Sequence, residues 1–252
     1  MIGVFDSGVG GLSVLIEIRR ELPRADLLYV GDRGRAPYGS RTLAEVESMS
    51  REVAAWLVQM GATCLVVACN TASAAALDSL RAHYPSLPIV GMEPAVKPAA
   101  LATKSGKVAV LATAATFQGR LFDSVVARFA EGVEVFPRAC PEWVELVEEG
   151  VVDGPRAIEI VREVVAPLAA EGVDVIVLAC THFSFLAPVI ERVASVVVVD
   201  PARAVAKQTA RVAPDVSGDG RTTLASSGDI HEFARLAAAV ASIDQPVIPF
   251  VP

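Results

Sequence analysis

Short apolar runs alternate along the chain with amphipathic stretches, which is the pattern of strands and helices following one another. The runs Leu65 to Ala68 and Val175 to Ala179 each end at a cysteine followed by polar residues, as expected of strands buried on both faces, and Ile2 to Phe5 is a further predicted strand. From Leu12 to Leu22 apolar residues recur at helical spacing. Thr42 and Glu45 form a capping-box pattern at the start of a further helix. The alternation predicts an α/β fold with mainly parallel sheets.

The pattern predicts seventeen elements in all. The predicted strands cover residues 2–5, 27–30, 62–68, 89–91, 108–111, 133–136, 173–179, 196–199 and 222–226. The predicted helices cover residues 12–22, 42–60, 71–83, 117–129, 155–171, 186–194, 202–212 and 230–241. A polar turn is predicted from Asp215 to Gly220.

Three landmarks occur twice in the same order, which predicts an internal repeat. The matched pairs are Ser7 with Thr113, Cys69 with Cys180 and Pro94 with Pro201, at offsets of 106 (113 − 7), 111 (180 − 69) and 107 (201 − 94) positions. We therefore predict two similar α/β domains related by a pseudo-two-fold axis, with the active site in the crevice between them. The first domain is predicted to comprise residues 1–94 and 206–252, and the second residues 95–205.

Two matching segments place a cysteine at the end of a predicted strand. Cys69 is followed by Asn70-Thr71, and Cys180 by Thr181-His182. Ligands of open α/β sheets bind beyond the carboxyl ends of the strands. Because the two cysteines have equivalent places in the repeat, we expect both thiols to face one crevice.

Two thiols on opposite sides of a pocket suit the inversion of a carbon stereocentre. One base removes a proton from one face while a second acid delivers a proton to the other face. The thiol has an ordinary pKa of about 8.5, which neighbouring groups can shift. Asp6 and Ser7 could tune one thiol, and His182 the other. We interpret Cys64 and Cys140 as structural, and we do not expect a disulfide between Cys69 and Cys180.

Two loops that contain glycine are candidate ligand-binding loops. The turn from Asp6 to Gly11 follows a strand, but it lacks both the G-x-G-x-x-G spacing and a Walker lysine, so a tight turn explains its glycines equally well. The loop from Gly31 to Arg41 could hold a carboxylate on its backbone N–H groups. We interpret Arg33, Arg35 and Arg41 in that loop as solvated surface charges.

Composition and charge exclude several classes. The chain has 252 residues, 53% of them hydrophobic, and a net charge of −7 without a basic cluster, which argues against nucleic acid as a main partner. No apolar stretch approaches the roughly 20 residues of a membrane span, and no basic n-region precedes the first strand. The four cysteines form no CxxC pair, which argues against a zinc knuckle and against a thioredoxin motif. We expect a cytoplasmic protein with reduced thiols.

These segments together resemble the glutamate racemases of the aspartate/glutamate racemase superfamily. The resemblance rests on the following segments, which occur in order along nearly the whole chain: Asp6-Ser7-Gly8-Val9-Gly10-Gly11, Gly31-Asp32, Pro37-Tyr38-Gly39, Cys69-Asn70-Thr71, Glu93-Pro94 and Cys180-Thr181-His182. It implies cofactor-independent interconversion of L- and D-glutamate, without pyridoxal phosphate or metal, that supplies D-glutamate for peptidoglycan synthesis. The expected partner is the small-molecule substrate, L- or D-glutamate, with no nucleic acid as a main partner and no membrane, and a homodimer is a possible assembly.

The resemblance further implies a role for individual residues. The counterpart of Cys69 takes the proton from D-glutamate and that of Cys180 from L-glutamate, while Asp6, His182 and Glu148 match assisting residues. The positions implied to contact substrate are Asp6, Ser7, Pro37, Tyr38, Gly39, Ser40, Asn70, Thr71, Thr113, Thr116, Thr181 and His182.

Two alternatives to a glutamate racemase stay open from the sequence. One is a relative that acts on another substrate, such as aspartate, although the complete set of motifs favours glutamate. The other is a binding or regulatory protein that retains the fold without catalysis, although the presence of both Cys69 and Cys180 weighs against it.

Overall fold

The computed structural model describes residues 1–118, 120–214 and 217–252, and its strands form two sheets in which every recorded pairing is parallel. In spatial order, the first sheet contains β10 (Val247–Pro249), β9 (Thr222–Ser226), β2 (Leu27–Gly31), β1 (Ile2–Asp6), β3 (Cys64–Val67) and β4 (Ile89–Val90). The second sheet contains β6 (Glu134–Ala139), β5 (Lys107–Ala112), β7 (Val175–Ala179) and β8 (Val197–Val199). The predicted fold class is confirmed.

Helices connect the parallel strands, as crossovers between parallel strands require. They are α1 (Leu12–Glu21), α2 (Leu43–Gln59), α3 (Asn70–His83), α4 (Val96–Ala102), α5 (Ala114–Gln118), α6 (Arg120–Phe129), α7 (Pro141–Glu148), α8 (Pro155–Ala170), α9 (Ala187–Val193), α10 (Ala202–Val212) and α11 (Ile230–Ala241). Short 3₁₀ turns occupy Arg33–Arg35, Tyr38–Ser40 and Thr181–Leu186. Within the described residues, none of the helices combines the length and apolar character needed to cross a membrane.

The internal repeat appears in both strand order and register. The order β2-β1-β3-β4 of the first sheet corresponds to β6-β5-β7-β8 of the second. Ile2 of β1 pairs with Cys64 of β3, and Val108 of β5 pairs with Val175 of β7. These pairs differ by 106 (108 − 2) and 111 (175 − 64) positions, the offsets found between the sequence landmarks. The carboxyl ends of β3 and β7 are therefore equivalent positions.

The apolar core consists of separate clusters, and successive residues of a strand belong to different clusters. In β3, Cys64 and Val66 belong to a cluster that also contains Trp143 of the second half, whereas Leu65 and Val67 belong to a separate cluster on the opposite face. Strand β7 alternates in the same way between the shared cluster and a third one. Since side chains alternate between the faces of a strand, one face of each sheet contributes to a core shared by the two halves.

The C-terminal strands return to the first sheet. Strand β9 pairs with β2, so that Leu27 lies opposite Thr222, and β10 pairs with β9. Helix α10, which packs against α1, runs through residue 206 without a break. The domain limits at residues 94 and 206 stay predictions.

Several boundaries differ from the pattern-based expectation. The helix predicted over 117–129 is two helices, α5 and α6, with Gly119 between them outside the described residues. Helix α7 begins with Pro141 at a first helical position, which favours helix initiation, yet this acidic segment was not predicted as a helix. Helix α4 and the three-residue edge strand β10 were also missed. Asp215 and Val216 of the predicted polar turn lie outside the described residues.

Candidate active site

A cavity of about 300 Å³ lies where the carboxyl ends of strands from both sheets meet. Ser7 follows β1 and Thr113 follows β5, while Cys69 and Cys180 lie just beyond β3 and β7. Each of these four residues lines the cavity. The placement follows from the repeat, because equivalent strand ends of the two halves face the same space.

The structure brings together most of the residues expected to contact substrate. The expected residues that line the cavity are Ser7, Pro37, Tyr38, Gly39, Ser40, Cys69, Asn70, Thr71, Thr113, Cys180, Thr181 and His182. Asp6, Thr116 and Glu148 are not among the lining residues and contact them from behind. Five further lining residues were not predicted to contact substrate: Ala114, Ala139, Pro141, Val144 and Glu145. The first four are small or apolar and carried no signal in the sequence, whereas Glu145 differs from the proline that is common at this position in the family that the sequence resembles.

Both thiols occupy extended backbone immediately before a helical turn. Cys69 is the N-cap residue of α3, with φ −141°, and its Sγ accepts a hydrogen bond from Ala72 N at 3.4 Å. Cys180 precedes the 3₁₀ turn that begins at Thr181, with φ −148°. Burial raises the pKa of the Cys69 thiol, and the nearby charge of Asp6 raises it further.

His182 links Cys180 to a buried carboxylate. Its Nδ1 lies 3.7 Å from Cys180 Sγ, and its Nε2 lies 2.7 Å from Glu148 Oε1. Burial alone would lower the pKa of His182, but the contacts with Cys180 and Glu148 raise it well above its ordinary value. Burial would raise the pKa of Glu148, but the hydrogen bond and charge of His182 lower it to about 2. The raised pKa of His182 and the lowered pKa of Glu148 both favour an imidazolium–carboxylate pair.

Glu148 accepts hydrogen bonds from two more groups, and one of them belongs to Arg33, which was interpreted from the sequence as a surface charge. Val9 N–H donates to Glu148 Oε1 at 2.8 Å, and Arg33 Nε donates to Oε2 at 2.9 Å. The interpretation of Arg33 as a solvated surface charge is wrong, since its side chain is 17% exposed. It is also wrong for Arg35, whose Nε lies 2.8 Å from the fully buried Asp32. The partner of Arg33 is 115 positions away in sequence, so spacing could not reveal the pair.

The glycine-rich turn after β1 provides space for this carboxylate and imidazole. A Cβ on Gly8 would lie 1.9 Å from Glu148 Oε1, and a Cβ on Gly10 would lie 2.3 Å from His182 Nδ1. Both distances are far inside van der Waals contact. The glycines are therefore explained by close approach of the second half to the turn.

Asp6 is fully buried between the same turn and the second half. Its Oδ1 accepts a hydrogen bond from Gly8 N at 2.7 Å, and its Oδ2 accepts one from Thr181 Oγ1 at 2.9 Å. Burial raises the pKa of Asp6, while the charge of His182 opposes the shift. Asp6 thus orients a cavity-lining hydroxyl and lies close enough to act electrostatically on Cys69.

Three threonine hydroxyls, one from the first half and two from the second, contact one another beside the cavity. Thr113 Oγ1 lies 2.9 Å from both Thr71 Oγ1 and Thr116 Oγ1, and the last two are 3.3 Å apart. Next to them, the buried Oδ1 of Asn70 has no hydrogen-bond partner within the described part of the chain. A buried unpaired acceptor is costly unless a ligand or water completes it.

The loop around Tyr38 is held from behind by a buried carboxylate. Tyr38 Oη donates a short hydrogen bond to Asp32 Oδ2, and Ser227 Oγ donates to Asp32 Oδ1 at 2.6 Å. A Cβ on Gly39 would lie 2.7 Å from Thr113 Cβ, so the loop abuts the second half. The Tyr38 hydroxyl is used in this anchoring, and Gly39, which has no side chain, also lines the cavity.

Sequence and structure comparisons agree on the family. The Asp/Glu/Hydantoin racemase family profile matches residues 2–209. A glutamate racemase from Roseiflexus sp. (strain RS-1) is 47% identical over 244 residues, covering 93% of this chain and 90% of that protein. One from Pseudomonas aeruginosa (strain PAO1) is 46% identical over 213 residues, covering 84% and 80%.

Solved structures of glutamate racemases share the fold over nearly their full length. One from Bacillus anthracis has a TM-score of 0.89 at 31% identity and covers 100% of this chain and 97% of that one. One from Escherichia coli, in complex with L-glutamate and the activator UDP-MurNAc-ala, has a TM-score of 0.88 at 30% identity, covering 99% and 97%. One from Thermus thermophilus, in complex with β-chloro-D-alanine, has a TM-score of 0.83 at 37% identity, covering 99% and 96%.

The chain belongs to the Asp/Glu/Hydantoin racemase family. The membership indicated by the sequence motifs is thereby confirmed. The roles of the individual site residues stay predictions.

Proposed function

We propose that the chain is a glutamate racemase that interconverts L- and D-glutamate by two-base proton transfer, with Cys69 and Cys180 on opposite faces of the substrate. The observation that carries the proposal is the position of these thiols, which occupy equivalent strand ends of the repeat and line one cavity. Relatives across most of the chain are glutamate racemases, and the one from Escherichia coli binds L-glutamate.

The proposed reaction removes one proton from the α-carbon of glutamate and adds one proton to its opposite face. A thiolate on one face takes the α-proton and becomes a thiol, and the thiol on the other face gives its proton to the α-carbon and becomes a thiolate. The α-proton of an amino acid is very weakly acidic, so a strong base is needed. A buried thiol with a raised pKa, such as Cys69, forms a more basic thiolate than one in water.

The two thiols are served by different neighbours. His182 can take the proton of Cys180 or return it, because its Nδ1 faces Sγ and Glu148 fixes the opposite ring nitrogen. Among the described residues, Cys69 has no histidine partner, and its electrostatic environment includes Asp6, the Ala72 N–H and Cys180. We assign abstraction from L-glutamate to Cys180 and from D-glutamate to Cys69, following the resemblance.

Neutral donors are proposed to bind the two substrate carboxylates. The residues that line the described cavity include no lysine or arginine, so hydroxyls such as Ser7, Thr71 and Thr181 and the loop backbone at Gly39 must supply the hydrogen bonds. The substrate ammonium is proposed to donate to the unpaired Oδ1 of Asn70. Thr113, Thr116, Pro37, Tyr38 and Ser40 complete or support this surface.

The biological setting is proposed from the same resemblance. We propose that the enzyme needs no cofactor or metal, works in the cytoplasm, where thiols stay reduced, and supplies D-glutamate for peptidoglycan synthesis. A homodimer is the proposed assembly.

The test is circular dichroism of each glutamate enantiomer incubated with purified protein. Both signals should decay to zero, also after dialysis against a chelator and in preparations without absorbance from pyridoxal phosphate. Cys69→Ser and Cys180→Ser proteins serve as matched controls and should leave the signals unchanged. Activity that disappears on dialysis and returns with an added cofactor contradicts the proposal, as does a wild-type protein without effect on either enantiomer.

A further inference from the structure

Arg33 is the outermost cation of a chain of contacts that ends at Cys180. Its Nε binds Glu148 Oε2 at 2.9 Å, while Glu148 Oε1 binds His182, whose other nitrogen faces Cys180 Sγ. The guanidinium therefore occupies the one carboxylate oxygen that His182 leaves free. In addition, Arg33 Nη2 donates to the Glu148 carbonyl oxygen at 3.4 Å.

The same guanidinium is held by a second carboxylate on a different element. Arg33 Nη1 lies 2.8 Å from Glu232 Oε2, and Nη2 lies 3.1 Å from Glu232 Oε1. Glu232 lies in the first turn of α11, which belongs to the C-terminal segment. Bidentate guanidinium–carboxylate contacts fix orientation as well as charge. The three residues thus tie the C-terminal segment, the loop after β2 and α7 together beside the cavity.

We propose that Arg33 and Glu232 are positioning residues that hold the Glu148 carboxylate against His182 and so support proton transfer at Cys180 but not at Cys69. Neither residue lines the cavity, so each acts through Glu148. A carboxylate with one oxygen unpaired can rotate away from the imidazole, and His182 then loses its orientation. Within the described residues, no hydrogen bond of Cys69 involves Arg33, Glu232, Glu148 or His182, so we expect the effect at Cys180.

This inference rests on the proposed racemisation, and the two thiols must be tested separately. Enantiomers have equal free energies in water, so the kcat/KM values of racemisation are equal in both directions for every variant. Racemisation therefore cannot reveal which thiol a mutation affects. Elimination from β-chloroglutamate can, because it needs only one abstraction and no reprotonation at the opposite face.

The elimination step balances without an external reactant. One thiolate takes the α-proton, the C–H electron pair forms a Cα–Cβ double bond, and chloride leaves with the electron pair of its bond. The resulting enamine tautomerises to an imine, which water hydrolyses to α-ketoglutarate and ammonia. α-Ketoglutarate is then measured in a coupled assay for the L- and the D-configured compound.

The variants are Arg33→Met, Arg33→Lys and Glu232→Gln, with Arg20→Met as the matched control. Arg20 is an exposed arginine that pairs with Glu17 on α1, so its loss changes the net charge equally. We expect Arg33→Met to lower kcat/KM for the L compound roughly tenfold, the value of one hydrogen bond to a charged group, and to leave the D compound unchanged. Arg33→Lys should restore part of the loss, and Glu232→Gln should cause a smaller loss in the same direction.

The outcomes separate the inference from the proposed function. Wild-type protein that eliminates from neither compound contradicts the proposed function itself. If wild-type protein eliminates from both, equal losses for the two compounds in Arg33→Met would assign Arg33 a general structural role and overturn the inference. Unchanged rates for both compounds in Arg33→Met and Glu232→Gln would overturn it as well. If Arg33→Met does not fold, Glu232→Gln alone decides, because it alters only the outer ion pair.

Discussion

The backbone of Gly10 lies directly against the imidazole of His182, so that a Cβ on Gly10 would be 2.3 Å from Nδ1 and 2.6 Å from Thr181 Oγ1. The two residues belong to different halves of the repeat. Their contact requires a residue without a side chain at position 10, and no left-handed backbone is involved there. The turn after β1 therefore fixes how closely the second half can place its histidine beside Cys180.

We predict that Gly10→Ala nearly abolishes racemisation while the fold is retained. The added methyl group must displace His182 or Thr181 by an ångström or more, and a shift of this size costs roughly 100-fold in rate. Circular dichroism of the glutamate enantiomers measures the rate, and far-ultraviolet spectra measure the fold. The matched control is Gly228→Ala, where the nearest atom to the new Cβ is 3.3 Å away. Equal activity of the two variants would show that the close approach at Gly10 is unimportant.

The sequence predicted the strand ends well because each apolar run is a local signal and the repeat shows the same local pattern twice. Cys69 and Cys180 each follow a run of apolar residues, and the offset between the runs equals the offset between the paired strands. Most of the cavity-lining residues were predicted for the same reason, since they follow these strands directly or match the family motifs.

The remaining parts of the site depend on tertiary contacts that have no local signal. Arg33 was interpreted as exposed because its partners, Glu148 and Glu232, lie 115 and 199 positions away. Val144 lines the cavity only because α7 turns one face towards it, and the sequence pattern had not assigned a helix there. Such contacts are set by tertiary packing between segments that are distant in sequence, which neither spacing nor composition reveals.

We predict that Glu148→Gln destabilises the fold most strongly between about pH 4.5 and 6.5. The pKa of Glu148 falls from its ordinary 4.5 to about 2 in the folded chain, so its stabilisation is complete above 4.5 and is lost as the pH falls towards 2. The stabilisation that His182 contributes depends on pH in the opposite direction. Its raised pKa gives stabilisation that is complete below its ordinary 6.5 and is lost as the pH rises through the raised value.

Urea unfolding of wild-type and Glu148→Gln proteins across this pH range measures the effect. Between about pH 4.5 and 6.5 we expect the two proteins to differ in unfolding free energy by about 3 kcal/mol. The difference should be smaller at lower and at higher pH. The matched control is Glu149→Gln, which removes a neighbouring carboxylate whose partner, Arg156, is exposed. A difference for Glu148→Gln that does not vary with pH would mean that no ionised pair forms with His182.

We predict that glutamate is preferred over aspartate. The loop at Gly39 and the threonine hydroxyls around Thr113 have fixed positions relative to the two thiols, because Asp32 anchors the loop and the hydroxyls bind one another. In a substrate shorter by one methylene, the side-chain carboxylate cannot reach its hydrogen-bond donors while the α-carbon lies between the two thiols. The loss in binding alone is roughly 1–3 kcal/mol. Equal kcat/KM values for the two amino acids, measured by circular dichroism, would contradict this prediction.

The last prediction separates the roles of the two thiols. Cys69→Ser and Cys180→Ser should each abolish racemisation, because a full turnover needs an acid and a base on opposite faces. The serine hydroxyl is close to the thiol in shape but is a much weaker acid, so the substituted face can neither take nor return a proton.

Each serine variant should still eliminate chloride from the β-chloro compound that its remaining thiol faces. Cys180→Ser retains Cys69 and should act on the D-configured compound, whereas Cys69→Ser retains Cys180 and should act on the L-configured one. Elimination is measured for both enantiomers, together with exchange of the α-proton for solvent deuterium. The two-base assignment is wrong if both variants act on the same enantiomer, or if either still racemises glutamate near the wild-type rate.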